Sequence, residues 1–463
     1  MNRFTYFLSL LLFMSAVSFS HGQKPLGDWA GMLNAGPQEL KIVFHITEEK
    51  GALRASMDSP DQGVFAIPMN QVSYDSMELS LGSTRFPVGY KGRYLPEKQE
   101  IRGVFLQSGF ELPLTLSLDT VGPDRPQTPK APFPYEIREV SYQNEKEDIS
   151  LSATLTLPEG EGPFPALILI TGSGPQDRDG SMFQHKPFWV IADAMGRKGI
   201  AVLRYDERGV GKSEGDFGEA TSEDFATDVQ AGIDYLLGVE KVDPQQLGLI
   251  GHSEGGLIAP MVAAADPRVK FVITLAGPAL PSTELLPLQQ RTMLKRSGIA
   301  DSSIQKASNL QQQMFDVVLN NADVDKAREI LDANIDTYLE PFSTQEKTML
   351  GLNENTLDAQ VKGLTSPWMG FFLKVDPRDY LKQLDIPLLA IYAGKDFQVP
   401  AEENLEAFKP LVEKKPQFVS KTYPGLNHLF QEAETGLMTE YGQLTETFSN
   451  KVILDMIEWI KGL

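Results

Sequence analysis

The 463-residue chain contains no cysteine. That excludes a disulfide framework, zinc–thiolate sites, a cysteine nucleophile and a lipid-modified N-terminal cysteine. Stability must then come from core burial, which this length can supply. Histidine is almost as scarce, with five residues, so each imidazole can be weighed in turn. No two of them have the spacing that puts a pair on one helix face for zinc, and neither a metal nor a cofactor is expected. Positive charge is in deficit: 42 Lys and Arg stand against 62 Asp and Glu, for a net charge of −20. Such a surface repels phosphate backbones and disfavours docking on anionic bilayers, so no nucleic acid partner is expected. Long apolar runs are missing as well. The stretch at residues 7–13 follows Arg3 but is too short to span ~30 Å of hydrocarbon. With Ser20 and Gly22 placed for cleavage before Gln23, residues 1–22 read as a signal peptide. A soluble secreted or periplasmic protein with no membrane span is therefore expected.

What is present divides the chain. Residues 23–121 read as a small antiparallel β-domain, a barrel or sandwich. Leu40, Ile42, Phe44 and Ile46 alternate, as do Leu112, Leu114, Leu116 and Leu118. Asp58-Ser59-Pro60-Asp61-Gln62-Gly63 supplies a turn between strands. In residues 122–134, Pro123, Pro126, Pro129 and Pro132 recur at every third position, the spacing of an extended polyproline II spacer. From 135 to 463 strands alternate with helices, the signature of an α/β sheet. The runs 166–170, 200–203, 247–250, 269–275 and 388–393 are continuously apolar, as strands buried on both faces are. Thr221 or Ser222 can cap a helix carrying Phe225, Val229 and Ile233. Residues from about 281 to 375 interrupt the alternation with polar, helix-forming sequence, and Met293, Leu294, Met314, Val317 and Leu331 lie on helical stripes. A helical insertion of that length between two strands reads as a cap over a site.

The pattern Gly-x-Ser-x-Gly occurs twice, so context must choose between the copies. Gly211-Lys212-Ser213-Glu214-Gly215 sits in a glycine-rich loop. Gly251-His252-Ser253-Glu254-Gly255 follows an apolar strand directly and opens a helical run. Strand, tight turn and helix together form a nucleophile elbow, which lifts the serine hydroxyl to a helix N-terminus where developing negative charge is favoured. Ser253 needs a base. His21 leaves with the signal peptide, His45 lies in the β-domain, and the position of His252 on the elbow aims its ring away from the nucleophile. His185, in a loop close to the oxyanion region, is a rival to His428. His428, in Gly425-Leu426-Asn427-His428-Leu429 before the last helix, has the chain position the base requires. Asp396 follows the strand at 388–393 and can accept the His428 ring N–H. Asp385 precedes that strand and Asp376 lies upstream of both. The oxyanion hole draws one backbone N–H from Glu254 and the other from the loop Thr171-Gly172-Ser173-Gly174-Pro175, where Ser173 is the choice, give or take one residue.

These stretches resemble the α/β-hydrolase superfamily. With Gly172-Ser173-Gly174-Pro175-Gln176-Asp177-Arg178-Asp179, Tyr205-Asp206-Glu207-Arg208-Gly209, Gly394-Lys395-Asp396 and Asn427-His428-Leu429-Phe430-Gln431, the chain is similar to secreted bacterial carboxylesterase-like serine hydrolases with an N-terminal β-domain and a helical cap. The resemblance implies an α/β-hydrolase fold, a triad of Ser253, Asp396 and His428, cofactor-free cleavage of a small-molecule ester, and a structural role for the Ser213 loop. Two other readings stay open: a serine peptidase or aminopeptidase of the same fold, and a glycan- or lipid-binding protein with an inactive hydrolase domain. The natural substrate and the oligomeric state are not readable from the chain.

Overall fold

A computed structural model describes residues 24–463 apart from 35–38, 50, 63, 85–86, 108–109, 119–124 and 322. The signal peptide read at 1–22 lies outside the described residues, as does the start of the proline-rich run. The chain separates into two compact units, Met1–Gly122 and Pro123–Leu463.

Among the described residues of the first unit, nine strands form one antiparallel sheet: β1 (Gly27–Asn34), β2 (Glu39–Glu49), β3 (Ala52–Ser59), β4 (Val64–Met69), β5 (Gln71–Asp75), β6 (Glu78–Gly82), β7 (Val88–Leu95), β8 (Glu100–Gln107) and β9 (Phe110–Leu118). Their order is β4-β3-β2-β1-β9-β8-β7-β6-β5. Successive residues of a strand face opposite sides, so the alternating Ile42, Phe44 and Ile46 share one buried face with Leu114 and Leu116. Two large aromatics bury polar tips without loss of hydrogen bonding. The Trp29 indole N–H donates to the Pro25 carbonyl at 3.0 Å, and the Tyr90 hydroxyl to the Ile101 carbonyl at 2.9 Å.

The second unit is built on β10 (Tyr135–Asn144), β11 (Ile149–Pro158), β12 (Phe164–Ile170), β13 (Ala201–Tyr205), β14 (Val242–His252), β15 (Phe271–Leu275), β16 (Leu388–Ala393) and β17 (Phe418–Tyr423). Their order is β10-β11-β13-β12-β14-β15-β16-β17, parallel from β13 onward and antiparallel at the β10–β11–β13 edge. Parallel strands need crossovers, which cover both faces of the sheet with helices. Every residue of β13, β15 and β16 is accordingly buried. At about 1.5–3 kcal/mol per buried Leu, Ile or Phe, these runs can occupy only the middle of the sheet. The covering helices include α1 (Pro187–Gly196), α2 (Ser222–Leu237) and α3 (Gly255–Ala265). Thr221 and Asp224 form a reciprocal capping box that starts α2.

Between β15 and β16 the chain leaves the sheet for α4 (Ser282–Arg296), α5 (Asp301–Asn320), α6 (Val324–Ala333), α7 (Ile335–Leu339), α8 (Thr344–Met349), α9 (Glu354–Leu364) and α10 (Pro367–Phe372). This insertion has an apolar core of its own, in which Met314, Phe315, Leu331 and Val361 are buried. Met293, on the predicted stripe, remains 38% exposed.

The proline-rich run differs from the extended spacer that its spacing predicts. From Arg125 on it is fastened to the second unit. The Arg125 guanidinium donates to the carbonyls of Leu444 at 2.7 Å, Gly442 at 2.7 Å and Phe183 at 3.0 Å, and Gln127 Nε2 to that of Phe448 at 2.7 Å. Proline fixes φ but does not stop a neighbouring cation from binding carbonyls, and charge-assisted bonds are the stronger kind.

Candidate active site

Strand β14 ends in a turn that only small residues can make. A Cβ on Gly251 would lie 1.8 Å from the Gly255 carbonyl oxygen, and one on Gly255 would lie 2.3 Å from that of Ile170. Between them Ser253 is held at φ +55°, in the left-handed region that costs a non-glycine residue about 1–3 kcal/mol. The compensation is local: the Ser253 N–H donates to the Leu275 carbonyl at 2.9 Å, tying the turn to β15, and α3 begins two residues later. Gly256 sets the helix close to the sheet, since a Cβ there would meet Gly277 Cα at 2.4 Å. The competing serine is spent on structure. Ser213 Oγ donates to the Asp206 carbonyl at 2.6 Å and accepts the Ser152 N–H at 2.9 Å.

His428 and Asp396 come together from two loops. Asp396 follows β16 and is buried. One of its oxygens, Oδ2, accepts His428 Nδ1–H at 2.7 Å. The other, Oδ1, accepts the backbone N–H groups of Gln398 at 2.7 Å and Val399 at 3.0 Å. With its proton held on Nδ1 by the carboxylate, the imidazole keeps a lone pair on Nε2. The His428 loop is itself fixed by Asn427, whose side-chain oxygen accepts the N–H groups of Leu429 and Gln431, both at 3.0 Å. Ser253 and His428 line one cavity of about 250 Å³.

The loop after β12 reaches the same cavity. A Cβ on Gly172 would stand 2.9 Å from Ser253 Cβ, so glycine is what lets this backbone pass the serine. Ser173 lines the cavity and its hydroxyl bonds to the Glu254 carboxyl. An ionic scaffold holds the loop from beneath. Arg178 grips Asp206 through two nitrogens, at 2.9 and 2.7 Å, and Arg204 pairs with Asp179. Buried Glu207 accepts from the Thr171 hydroxyl and from the Gln176 N–H at 2.8 Å. Burial pushes the Glu207 carboxyl up to about 8 against these hydrogen bonds. Arg178, Asp179, Asp206 and Glu207 lie in stretches that carry the resemblance, but the sequence reading gave none of them this part. Their signal is the density of charge directly after two buried strands, in Gln176-Asp177-Arg178-Asp179 and Asp206-Glu207-Arg208.

The remaining histidines take other places. His185 is fully buried, with Nδ1 at 2.9 Å from the Thr447 hydroxyl and Nε2 at 3.0 Å from the Tyr441 carbonyl. Burial, aided by Arg125, lowers its pKa to about 4, so it ties loops together. His45, in the first unit, lies between Asp28 at 2.7 Å and Asp58 at 2.9 Å. His252, set aside as a base in the sequence reading, makes a contact with the His428 loop that its position does not foretell. Its ring lies 4.8 Å from the His428 ring centroid, and its Nε2–H donates to the His428 carbonyl at 2.9 Å. Burial first, and then nearby His428, hold it down to about 3. His252 is thus a neutral donor that positions the His428 loop. A residue beside Ser253 is easily dismissed by position alone, because its ring direction depends on a contact 176 residues away.

The insertion roofs the cavity with Leu285 and Leu286 of α4 and with Trp368 and Phe372 of α10. Among the described residues lining it, Glu254 is the only one with a formal charge. The residue is 4% exposed. It accepts from the Ser222 hydroxyl at 2.6 Å and the Trp368 indole N–H at 2.7 Å. Burial raises its pKa, and these donors oppose the shift. Among the described residues no group of three or more His, Asp or Glu is placed to hold a metal ion, and no helix is long and apolar enough to cross a membrane.

Residues 187–329 match the family described as "Serine aminopeptidase, S33". Among characterised sequences the chain is similar to an esterase of Thermotoga maritima, with 26% identity over 316 residues. That alignment takes in 68% of this chain and 66% of the esterase, just under two thirds of its length. It is also similar to an uncharacterised 31.7 kDa protein of Escherichia coli, with 23% identity covering 67% of this chain and 95% of the relative. Among solved structures, a Pyrococcus furiosus esterase aligns with a TM-score of 0.42 and 16% identity, covering 71% of this chain and 93% of that one. The strand order, the elbow and the helical insertion described above give the second unit an α/β-hydrolase fold, in keeping with the matched family and the esterase relative.

Proposed function

We propose that the protein is a serine hydrolase that cleaves carboxylic esters of small uncharged molecules through an acyl-enzyme. The observation that carries this reading is the Asp396–His428 pair at 2.7 Å, bordering one cavity with a serine held at φ +55°. In this reading Ser253 Oγ attacks the ester carbonyl as His428 Nε2 takes its proton. Asp396 holds the tautomer that leaves Nε2 free and stabilises the imidazolium that forms. The backbone N–H groups of Glu254 and Ser173 receive the oxyanion, where preorganised donors act on charge as it develops. His428 then protonates the leaving alcohol, and a water activated by the same imidazole releases the acid. No cofactor enters this scheme. The segment at 1–22 adds the proposal that the protein is secreted or periplasmic.

The matched family's description raises an aminopeptidase as the second reading. Such an enzyme needs a carboxylate free to bind the substrate's ammonium group. The cavity's one carboxylate, Glu254, is already engaged by Ser222, Trp368 and Ser173, which favours neutral esters. The test compares kcat/KM for p-nitrophenyl acetate and butyrate with aminoacyl p-nitroanilides, using the chain from Gln23 onward. Esters are expected to win by more than about a thousandfold, beyond their greater intrinsic reactivity. An anilide rate within about tenfold of the ester rate would establish the peptidase instead.

A further inference from the structure

Glu254 offers more than a backbone N–H next to the nucleophile. Its carboxyl joins three separate elements. Ser222 stands at the first turn of α2, Ser173 in the loop after β12, and Trp368 in the roof of the cavity. Helix α10 has six residues, too few to be rigid on its own hydrogen bonds. The half-buried Trp368 ring stacks on Phe372 with centroids 4.9 Å apart and planes 14° from parallel. Stacking fixes the plane of the indole but leaves it free to turn within that plane. The bond from the indole N–H to Glu254, at 2.7 Å, removes that freedom because hydrogen bonds are directional. One side chain therefore ties the turn that bears the nucleophile to the aromatic pair of the roof.

We propose that Glu254 is a positioning residue for acyl specificity: by holding Trp368 it sets the depth between the nucleophile turn and the aromatic wall where the acyl chain ends. The proposal rests on the ester-hydrolase reading above. Released from Glu254, the indole swings and the wall recedes, so longer acyl groups gain relative to short ones.

The experiment measures kcat/KM for p-nitrophenyl octanoate and acetate in the wild type, Trp368→Phe, Glu254→Met and the double variant. The octanoate-to-acetate ratio is expected to rise at least fivefold in each single variant. In the double variant it is expected to stay within twofold of Trp368→Phe, because one interaction is lost in all three. Glu254→Gln, whose amide oxygen can still accept the indole N–H, returns the ratio toward the wild-type value. A merely structural Glu254 would lower both esters in parallel. An unmoved or reduced ratio in either single variant, or a double variant equal to the product of the singles, overturns the proposal. Should Glu254→Met fail to fold, Trp368→Phe, made in the roof and leaving the elbow sequence intact, still decides by its ratio. A wild type inactive on both esters overturns the hydrolase reading together with this inference, whereas an active enzyme whose ratio does not move overturns the inference alone.

Discussion

Replacing Asp396 by asparagine changes one atom and, on the proposed mechanism, stops the enzyme. The reason lies in how the carboxylate is held. Its Oδ1 accepts two backbone N–H groups, from Gln398 and Val399, while Oδ2 accepts His428 Nδ1–H. An asparagine must keep its oxygen toward the two N–H groups. Turning the amide would leave both of them buried against an NH2, at about 1–3 kcal/mol each. Its NH2 therefore faces His428, and the imidazole must present a lone pair at Nδ1. The proton then moves to Nε2, so that no base faces Ser253. Loss of the correct tautomer costs about 10⁴-fold in kcat, or roughly 5 kcal/mol of transition-state stabilisation. The assay is kcat on p-nitrophenyl butyrate for wild type, Asp396→Asn and His428→Ala, with near-ultraviolet circular dichroism to verify the fold. Asp396→Asn keeping more than a tenth of wild-type kcat would refute the reasoning.

Three further outcomes are expected. Gly255→Ala forces a Cβ to 2.3 Å from the Ile170 carbonyl oxygen and should destabilise by about 1–3 kcal/mol or more. Gly370→Ala, on a helix with nothing within 4 Å, should stabilise by about 0.5–1 kcal/mol; thermal melts that place the two in the opposite order would contradict the packing account. In the first unit, burial alone would lower the His45 pKa, but hydrogen bonds and charge from Asp28 and Asp58 raise it from 6.5 to about 9. A raised folded pKa gives stability that is complete below pH 6.5 and lost as pH climbs through 9. Screening at the 42% exposed Asp28 side chain leaves about 1–2 kcal/mol. The gap in melting temperature between wild type and His45→Gln should therefore close between pH 6.5 and 9.5, and a constant gap would contradict it. Ser213→Ala should keep kcat within a few-fold of wild type while losing about 1 kcal/mol of stability with its two hydrogen bonds; loss of turnover there would contradict the choice of Ser253 over Ser213.

The fold class was legible because its physical causes are local. A strand buried on both faces must be continuously apolar, and 166–170 and 388–393 are. An elbow needs glycines where a Cβ would strike backbone, and Gly251 and Gly255 stand there. The order of the first unit's strands is not written in any alternation, since pairing β1 with β9 brings Trp29 beside Leu118 across most of the unit. The same holds for the site. Ser253, His428 and Asp396 each carry a local signal: an elbow, a loop before the last helix, a loop after a strand. Glu254 carries one only for its backbone. Its carboxyl meets Trp368 across 114 residues, in an insertion whose sequence reads only as helical. His252 and the Arg125 anchor were missed for the same reason: a ring direction or a docked arginine is decided by carbonyls far along the chain.

The central claim is that Ser253 is the nucleophile. Its most direct test is covalent labelling with a fluorophosphonate, followed by mass spectrometry of the peptides. The account predicts one adduct per chain, on the peptide carrying Gly251-His252-Ser253-Glu254-Gly255, which disappears in Ser253→Ala and persists in Ser213→Ala. An adduct on any other residue, or an enzyme that turns over esters and takes no label, would contradict it.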